Sequence, residues 1–401
     1  MPNKLRTVLL LSLAELLAMA VWFSASAVVP ALTAAWNLND SGRAWLTMSV
    51  QAGFVVGAFG SALLNVADRV PTRWLFTGSA RAAAASTALI PLLARDLGPA
   101  LVLRFLTGAL LAGVYPVGMK IMATWTKADR GLGIGLLVGA LTLGTASPHL
   151  LNAFGDPNAW EAVLYGAAAL AALGGLLAAA FVREGPYQTK SPPFNWHYVG
   201  QVARQRDVVL ANLGYLGHMW ELYAMWAWIP AFFLASFVAN SLALAASYAS
   251  LASFVVIGVG SLGSLLAGKL ADRVGRTTVT ITALGVSGLC ALLIGRVFGG
   301  APWLVVTIGL VWGVSVVADS AQFSACVSEL CEPAYTGTAL TLQTSLGFLL
   351  TLVTIRLIPT AVAWVGWGWA FAFLAPGPVL GLVAMAALRR TAKARLAGGR
   401  G

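Results

Sequence analysis

Charge is what this 401-residue chain has least of: Asp, Glu, Lys and Arg make up 10% of it, with 14 acids, against 59% hydrophobic residues. A soluble domain carries about a quarter charged residues. Too few are present to cover a water-facing surface, so most of the surface must face lipid. Cysteine and histidine are equally scarce, with three of each. Cys290, Cys326 and Cys331 fall in or near predicted helices and form neither a disulfide framework nor a metal-ligand spacing. Also missing are a Walker-type Gly-x4-Gly-Lys-Ser/Thr, a zinc-protease His pair and a nucleophile elbow. No enzyme, cofactor or resident metal is expected, and any work the chain does must draw on an ion or solute gradient rather than ATP, unless a separate subunit supplies the energy. The alternating strands of a transmembrane β-barrel are absent as well.

What is present is a series of apolar runs of spanning length, about 20 residues each. Twelve are predicted, at 8–32, 44–65, 74–94, 99–125, 131–153 and 161–182, then at 208–236, 243–268, 277–297, 302–328, 338–362 and 367–388. The first is too long for a cleaved signal and is read as helix 1. Trp36, Trp45, Trp74, Trp125, Trp160, Trp303, Trp364, Trp367 and Trp369 sit at predicted helix ends, where an indole prefers the headgroup layer. Residues 183–207 break the pattern. Arg183-Glu184-Gly185-Pro186 ends helix 6, and Pro192-Pro193 forbids a continuous helix. This stretch separates an N-terminal six-helix bundle, 1–182, from a C-terminal one, 208–388, which a basic tail, 389–401, follows. It is either a flexible linker or the carrier of a short amphipathic helix around Trp196–Val202.

The formal net charge of +11 would suit nucleic acid, but its distribution does not. Of the Lys and Arg residues, Arg43, Arg95 and Arg296 fall in loops on one predicted side, and Arg81, Arg104, Lys120 and Arg356 fall within helices. The remaining eighteen lie in loops and tails on the other side. This positive-inside bias places both termini in the cytoplasm, with the chain integral to the plasma (inner) membrane. The lipid bilayer, not nucleic acid, is its expected partner.

An internal repeat organises the helices. Helix 1 reads Glu15-Leu16-Leu17-Ala18-Met19-Ala20-Val21-Trp22, and helix 7 reads Glu221-Leu222-Tyr223-Ala224-Met225-Trp226-Ala227-Trp228. Ala67-Asp68-Arg69-Val70 recurs as Ala271-Asp272-Arg273-Val274 at nearly the same offset. Both copies run in the same direction at equivalent depth, which indicates parallel halves related by an axis along the membrane normal.

Gly268-Lys269-Leu270-Ala271-Asp272-Arg273-Val274-Gly275-Arg276, between helices 8 and 9, resembles the cytoplasmic loop signature of the major facilitator superfamily. The first-half copy, Asp68-Arg69-Val70-Pro71-Thr72-Arg73, departs from it with Pro71 in place of the usual Gly. Arg104-x3-Gly108-x4-Gly113 in helix 4 is similar to that superfamily's second motif. The resemblance implies an all-α fold of twelve transmembrane helices in two parallel six-helix bundles, a secondary transporter and a cavity lined by helices 1, 4, 7 and 10. It also implies a latch, formed by Asp68, Arg69, Arg73, Asp272, Arg273 and Arg276, that holds the outward-open state. An Asp beside a helix N-terminus is favoured by the macrodipole, so Asp68 and Asp272 are expected near the starts of helices 11 and 5, at Gly337 and Gly131. The Gly-Pro pair of drug:proton antiporters does not occur in helix 5, where Gly139 to Pro148 reads GALTLGTASP. Around Gly217-His218-Met219-Trp220-Glu221-Leu222 the chain is loosely similar to cyanate- and nitrate-porter members.

Membrane-embedded polar residues are the candidates for substrate or coupling roles. An acid at the bilayer centre costs at least ~2.5–3.5 kcal/mol on insertion scales, so it should not face lipid. Glu15, Trp22 and Ser26 form one helical stripe, and Glu221 and Trp228 repeat it. Helix 10 offers Asp319 and Gln322, and helix 4 offers Arg104, Tyr115 and Lys120. His218 lies one turn before Glu221. Glu15 is expected to meet either the cavity or Lys120, whereas Glu221 has only His218 nearby and is expected to carry a proton. The reading is alternating-access transport of a small polar or ionic solute by a monomer, with protons or another ion as coupling partner. The alternatives are efflux of amphiphilic compounds and a membrane sensor or receptor with a transporter fold.

Overall fold

In lipid every backbone N–H and C=O must be satisfied within the protein, and the apolar runs do this as helices. The computed structural model describes residues 2–126, 130–156, 159–187, 195–332, 336–392, 395, 396, 399 and 401, and no strand occurs among them. Helix 1 comprises Pro2–Met19, Ser24–Ala27 and Val29–Trp36, and helix 2 is Asp40–Leu63. Helix 3 is Thr72–Leu93, helix 4 is Leu97–Leu111 with Tyr115–Trp125, helix 5 is Arg130–Phe154 and helix 6 is Trp160–Phe181. In the second half, helix 7 is Arg206–Ala239, helix 8 is Ala245–Gly258 with Gly260–Val274, and helix 9 is Arg276–Leu293. Helix 10 is Pro302–Ala318 with Ser320–Leu330, helix 11 is Thr336–Val365, and helix 12 runs from Trp367–Ala370 through a 3-10 turn to Pro376–Ala392.

Ten of these twelve are long and apolar enough to cross a membrane by length and composition. Helix 1 falls short because it is broken and its first segment carries Lys4, Arg6 and Glu15. Helix 3 falls short because alanine, hydroxyl residues and Arg81 dilute its hydropathy. The breaks have local causes. In helix 4, Pro116 follows Tyr115 at the start of the second segment and cannot donate back to the preceding turn. Helix 10 breaks at Asp319, nearly the same place in the other half.

Turn chemistry explains the ends. Asn37 takes the left-handed conformation that closes helix 1 (φ 52°), and Asn39 caps helix 2 by accepting from the Gly42 N–H at 2.8 Å. Gly275 turns helix 8 into helix 9 at φ 96°, a region costly for any side chain. Pro71, its first-half counterpart, sits instead in extended backbone at φ −54° and ψ 125°. Gly108 has a packing reason: a Cβ there would lie 2.0 Å from the Val50 carbonyl of helix 2. Helices 2 and 4 thus touch backbone to backbone.

The polar stretch between the halves does carry a helix, Trp196–Arg204, capped by the Asn195 side chain. The Pro192-Pro193 pair lies outside the described residues. Helix 7 begins at Arg206, directly behind this junction helix. The two sets of six helices meet along two seams, helix 5 with helix 8 and helix 2 with helix 11. Large apolar side chains on the outside, such as Leu92, Val102, Leu266 and Val383, stay exposed, as a lipid-facing surface requires. Among the tryptophans at helix ends, Trp303 and Trp364 are exposed, whereas Trp36 and Trp160 pack edge-to-face at 5.4 Å.

Candidate functional site

A cavity of about 560 Å³ lies between the halves at the face opposite the chain termini. The far ends of helices 1, 2, 5, 7, 8, 11 and 12 build its wall. Most of the wall is apolar, with Trp228 and Trp367 among its larger side chains. Its polar points are few. Ser26 and Thr47 share a hydrogen bond at 2.6 Å, and the Asn152 amide donates to the Ser250 hydroxyl at 2.8 Å, from helix 5 to helix 8. Asp40 and Arg43, the two ionisable residues on the wall, approach each other to 3.3 Å. Trp228 is fixed by donating from its indole N–H to the Ile355 carbonyl of helix 11 at 2.8 Å.

Toward the terminus face, aromatic rings from both halves lie beneath the cavity. Trp22 stands 4.9 Å from Phe54, 5.7 Å from Phe348 and 6.0 Å from Tyr223, centroid to centroid. Phe54 meets Phe348 at 4.6 Å, and Tyr223 meets Phe348 at 5.0 Å. Trp22 and Phe54 come from the first half, Tyr223 and Phe348 from the second. Trp22 sits at the break in helix 1, where the carbonyls lack helical partners. Arg104 supplies them: its guanidinium donates to the Val21 carbonyl at 2.7 Å, to the Trp22 carbonyl, to the Ser24 hydroxyl at 3.1 Å and to Leu46 of helix 2 at 3.4 Å. Arg104 therefore holds the backbone that carries the floor rather than lining the cavity.

Glu15 meets neither the cavity nor Lys120, and Glu221 does not face the cavity either. Neither belongs to its wall. Glu15 is fully buried against helices 4 and 5, and neither carboxylate oxygen has a hydrogen-bond partner among the described residues. A Cβ on Gly118 would lie 2.5 Å from its Oε2 and 3.5 Å from a Leu137 methyl, so the acid occupies the space that a glycine leaves. Tyr115 opens the second segment of helix 4 one turn away, within the field of this acid. Lys120 does not serve Glu15. It reaches Asp68 at 2.5 Å and the Ala67 carbonyl at 2.8 Å instead. Its long stem carries the charge toward the terminus face, where water reaches it.

Glu221 is fully satisfied inside the second half. It accepts from the Trp312 indole N–H at 2.7 Å and from the Ser287 hydroxyl at 2.8 Å. His218 turns to helix 10 rather than to Glu221. Its Nδ1 approaches Asp319 to 2.9 Å, though neither of those two atoms has a straight hydrogen bond, and its Nε2 shares one with Ser320 at 3.0 Å. Both residues are 1% exposed. Gln322 also points away from the cavity, accepting from Arg276 at 2.8 Å. Of the candidates read from sequence, Ser26 and Trp228 line the cavity and Trp22 underlies it.

At the terminus face the two seams differ. On one, Asp272 meets the start of helix 5: a Cβ on Gly131 would lie 2.9 Å from its Oδ2. Gly135 continues the close contact, and Ser264 donates to its carbonyl at 3.0 Å. Arg276 ties this loop to helix 10 through Glu329 at 2.6 Å and approaches Asp272 at 3.8 Å. Asp68 was expected at the start of helix 11 but is drawn to Lys120 in its own half. The junction helix occupies that second seam: Trp196 packs edge-on against Phe59 of helix 2 at 5.9 Å, and the Asn195 N–H donates to Thr338 of helix 11 at 3.1 Å. Arg69 and Arg273 are exposed, and Arg73 lies over the Trp74 ring at 4.4 Å. Pro71 removes the left-handed turn that Gly275 gives the other loop, and the two loops take different paths.

Sequence reasoning passed over Gln51, Phe54, Ser287, Ser320 and Phe348. Gln51 had a usable signal, being an amide in the middle of the apolar run of helix 2.

No curated protein sequence matches the chain. Among solved structures, a point mutant of the nucleoside transporter NupG aligns over 95% of this chain and 99% of its own, at 15% identity and a TM-score of 0.72. The proton:xylose symporter XylE bound to 6-bromo-6-deoxy-D-glucose aligns over 96% of each chain, at 16% identity and 0.70. The human organic anion transporter MFSD10 (TETRAN) aligns over 96% of this chain and 100% of its own, at 16% identity and 0.68. At such identities these likenesses establish the fold. The sequence pattern of the Major Facilitator Superfamily matches residues 11–244, more than half of the chain. With membrane-length apolar helices, and all-helical among the described residues, the chain belongs to the Major Facilitator Superfamily of transporters.

Proposed function

We propose that this protein carries a small uncharged solute by alternating access, coupled to protons through Glu15. The observation that carries the solute class is the charge balance of the cavity wall. Its two ionisable residues pair with each other, so no uncompensated charge awaits an ionic substrate. Hydroxyl and amide groups offer hydrogen bonds, and Trp228 and Trp367 offer ring faces. The transporters of a nucleoside and of xylose among the structural neighbours fit this reading better than the organic anion transporter does. Apolar residues over most of the wall also favour a second reading, export of an amphiphilic compound.

The aromatic floor and the Asp272–Gly131 contact support an outward-facing state, with both termini in the cytoplasm of the inner membrane. Opening the other side requires the floor rings to part and Asp272 to leave helix 5. Glu15 is the acid suited to couple a proton to that change. Ionised burial without a donor or cation costs several kcal/mol, so its proton must stay while the site is closed and can leave when helix 1 swings toward water. Glu221 holds two donors and is read as structural. Asp319 has the His218 ring beside it at 2.9 Å and is read as structural.

Purified protein in lipid vesicles, given radiolabelled neutral, anionic and lipophilic cationic solutes with and without a pH gradient, tests the proposal. Uptake of a neutral solute driven by the gradient is expected. Gradient-driven movement of the anion alone would refute the solute class.

A further inference from the structure

Buried polar atoms in a folded protein normally find partners, and those that do not call for an explanation. Several such atoms gather at the aromatic floor. The indole N–H groups of Trp22 and Trp226 and both amide atoms of Gln51 have no partner among the described residues. None of the three side chains is more than 1% exposed. They share one layer. Tyr223 stands 6.0 Å from Trp22 and 5.4 Å from Trp226, and Phe23 packs edge-on to Trp226 at 6.0 Å. Gln51 lies on helix 2 four residues after Thr47 of the cavity wall and three before Phe54 of the floor. That spacing puts all three on one helix face, with Gln51 between wall and floor.

The chemistry of this layer is narrow. An indole N–H only donates, whereas an amide both donates and accepts. The nearest cation, Arg104, has its donors directed at Val21, Trp22, Ser24 and Leu46. Neither acid of the repeat reaches the layer: Glu15 lies against Gly118, and Glu221 is bonded to Ser287 and Trp312. What fits is a flat or cyclic uncharged body, stacked among the rings, with an edge rich in acceptors such as carbonyls, hydroxyls or ring nitrogens.

We infer that Gln51, Trp22 and Trp226 form a substrate subsite at the cavity floor that hydrogen-bonds the acceptor edge of a neutral ring compound. This rests on the transport reading above and narrows its solute class. The ligand enters from the cavity, wedges the floor rings apart, accepts from the three idle N–H donors and gives one O–H or N–H to the Gln51 Oε1, so binding and opening of the floor become one event. The polar atoms stay unsatisfied in the empty protein because their partner is the cargo.

The test uses the full chain in lipid vesicles with four probes: uridine and xylose as neutral ring compounds, uridine monophosphate as an anion and tetraphenylphosphonium as a lipophilic cation. Counterflow gives KM and thermal unfolding gives the melting temperature, for the parent, Gln51→Leu and Trp226→Phe. Gln51→Leu should raise KM for the neutral probe that the parent carries about tenfold, the loss of roughly one hydrogen bond. It should melt no lower than the parent, because the amide bonds nothing in the empty protein. Trp226→Phe keeps an aromatic face, deletes the N–H and should shift KM in the same direction. A lower melting temperature in Gln51→Leu, or an unchanged neutral-probe KM in both variants, overturns the subsite. If the parent carries only a charged probe, the subsite and the uncharged-solute class both fall while transport by alternating access stands; if it carries a neutral probe with KM unchanged in both variants, the subsite alone falls; if it carries none of the four, all fall.

Discussion

Glu15 and Glu221 are copies of one another in sequence, yet the structure predicts opposite responses to the same substitution. Glu221→Leu removes the acceptor from the Trp312 N–H and from the Ser287 hydroxyl. Ser287 retains the Leu284 carbonyl at 3.3 Å, so one indole N–H is orphaned. The orphan costs about 1–3 kcal/mol and the lost hydroxyl bond about 1 kcal/mol. The variant should therefore be destabilised by about 2–4 kcal/mol. Glu15→Gln removes no hydrogen bond to the described residues, since neither oxygen has a partner among them, and should stay within about 1 kcal/mol of the parent. Its effect should fall on coupling. In vesicles it should exchange solute at near-parent rates but lose accumulation driven by a pH gradient, because a residue that cannot ionise has no proton to release. Glu221→Gln keeps an acceptor for Trp312 and should retain gradient-driven uptake. The decisive assay measures accumulation against exchange for the two Gln variants side by side, with melting curves for Glu221→Leu. Full pH-driven accumulation by Glu15→Gln would refute the assignment, and a Glu221→Leu variant as stable as the parent would refute the structural reading of the other acid.

Asp272→Asn should weaken the contact with helix 5 and move the resting population toward the opposite opening. Cysteine probes at Ser264 and at Thr47 should then become more and less accessible to a thiol reagent, respectively, and unchanged labelling would count against the contact as a closure. Gly108→Val should prevent stable insertion, since its side chain would enter the Val50 carbonyl, and the readout is yield of monodisperse protein. The partly exposed Asp68–Lys120 pair should contribute no more than about 1 kcal/mol in a double-mutant cycle. Arg104→Lys keeps the charge but not the fork that holds three acceptors on helix 1, and should slow transport while Arg104→Ala abolishes it.

Helix count and the spans were legible because lipid imposes one strong rule, a continuous apolar run per crossing. The loop around Asp272 was legible because a left-handed glycine and an acid at a helix start are local demands. Side-chain direction was not. Glu15 and Glu221 occupy equal places in a repeated motif, but Gly118 and the Trp312–Ser287 pair decide what each acid meets, and those residues lie far away in sequence. Lys120 could be placed by depth alone between Glu15 and Asp68; its flexible stem chose the partner nearer water. The break at Ala20 to Phe23 left no mark in helix 1 beyond Ser24 and Ser26, since Arg104, eighty residues on, stabilises it. Gln51 was passed over because an amide carries no charge to flag it.

The junction helix between the halves has a consequence for duplicated proteins. A chain made by doubling one ancestral unit has two equivalent seams but only one covalent junction. Whatever is built from that junction serves one seam alone. Here it lies across helices 2 and 11, at the place that corresponds to Asp272 against helix 5. The first-half loop is thereby released from that duty, and a proline in place of its glycine carries no penalty there. Symmetry is lost not by wear of an old motif but by arithmetic: one connection cannot be shared between two places. Any version of this protein expressed as two separate six-helix chains would keep the carboxylate contact at one seam and, at the other, the packing of helix 2 on helix 11 without its covalent tie.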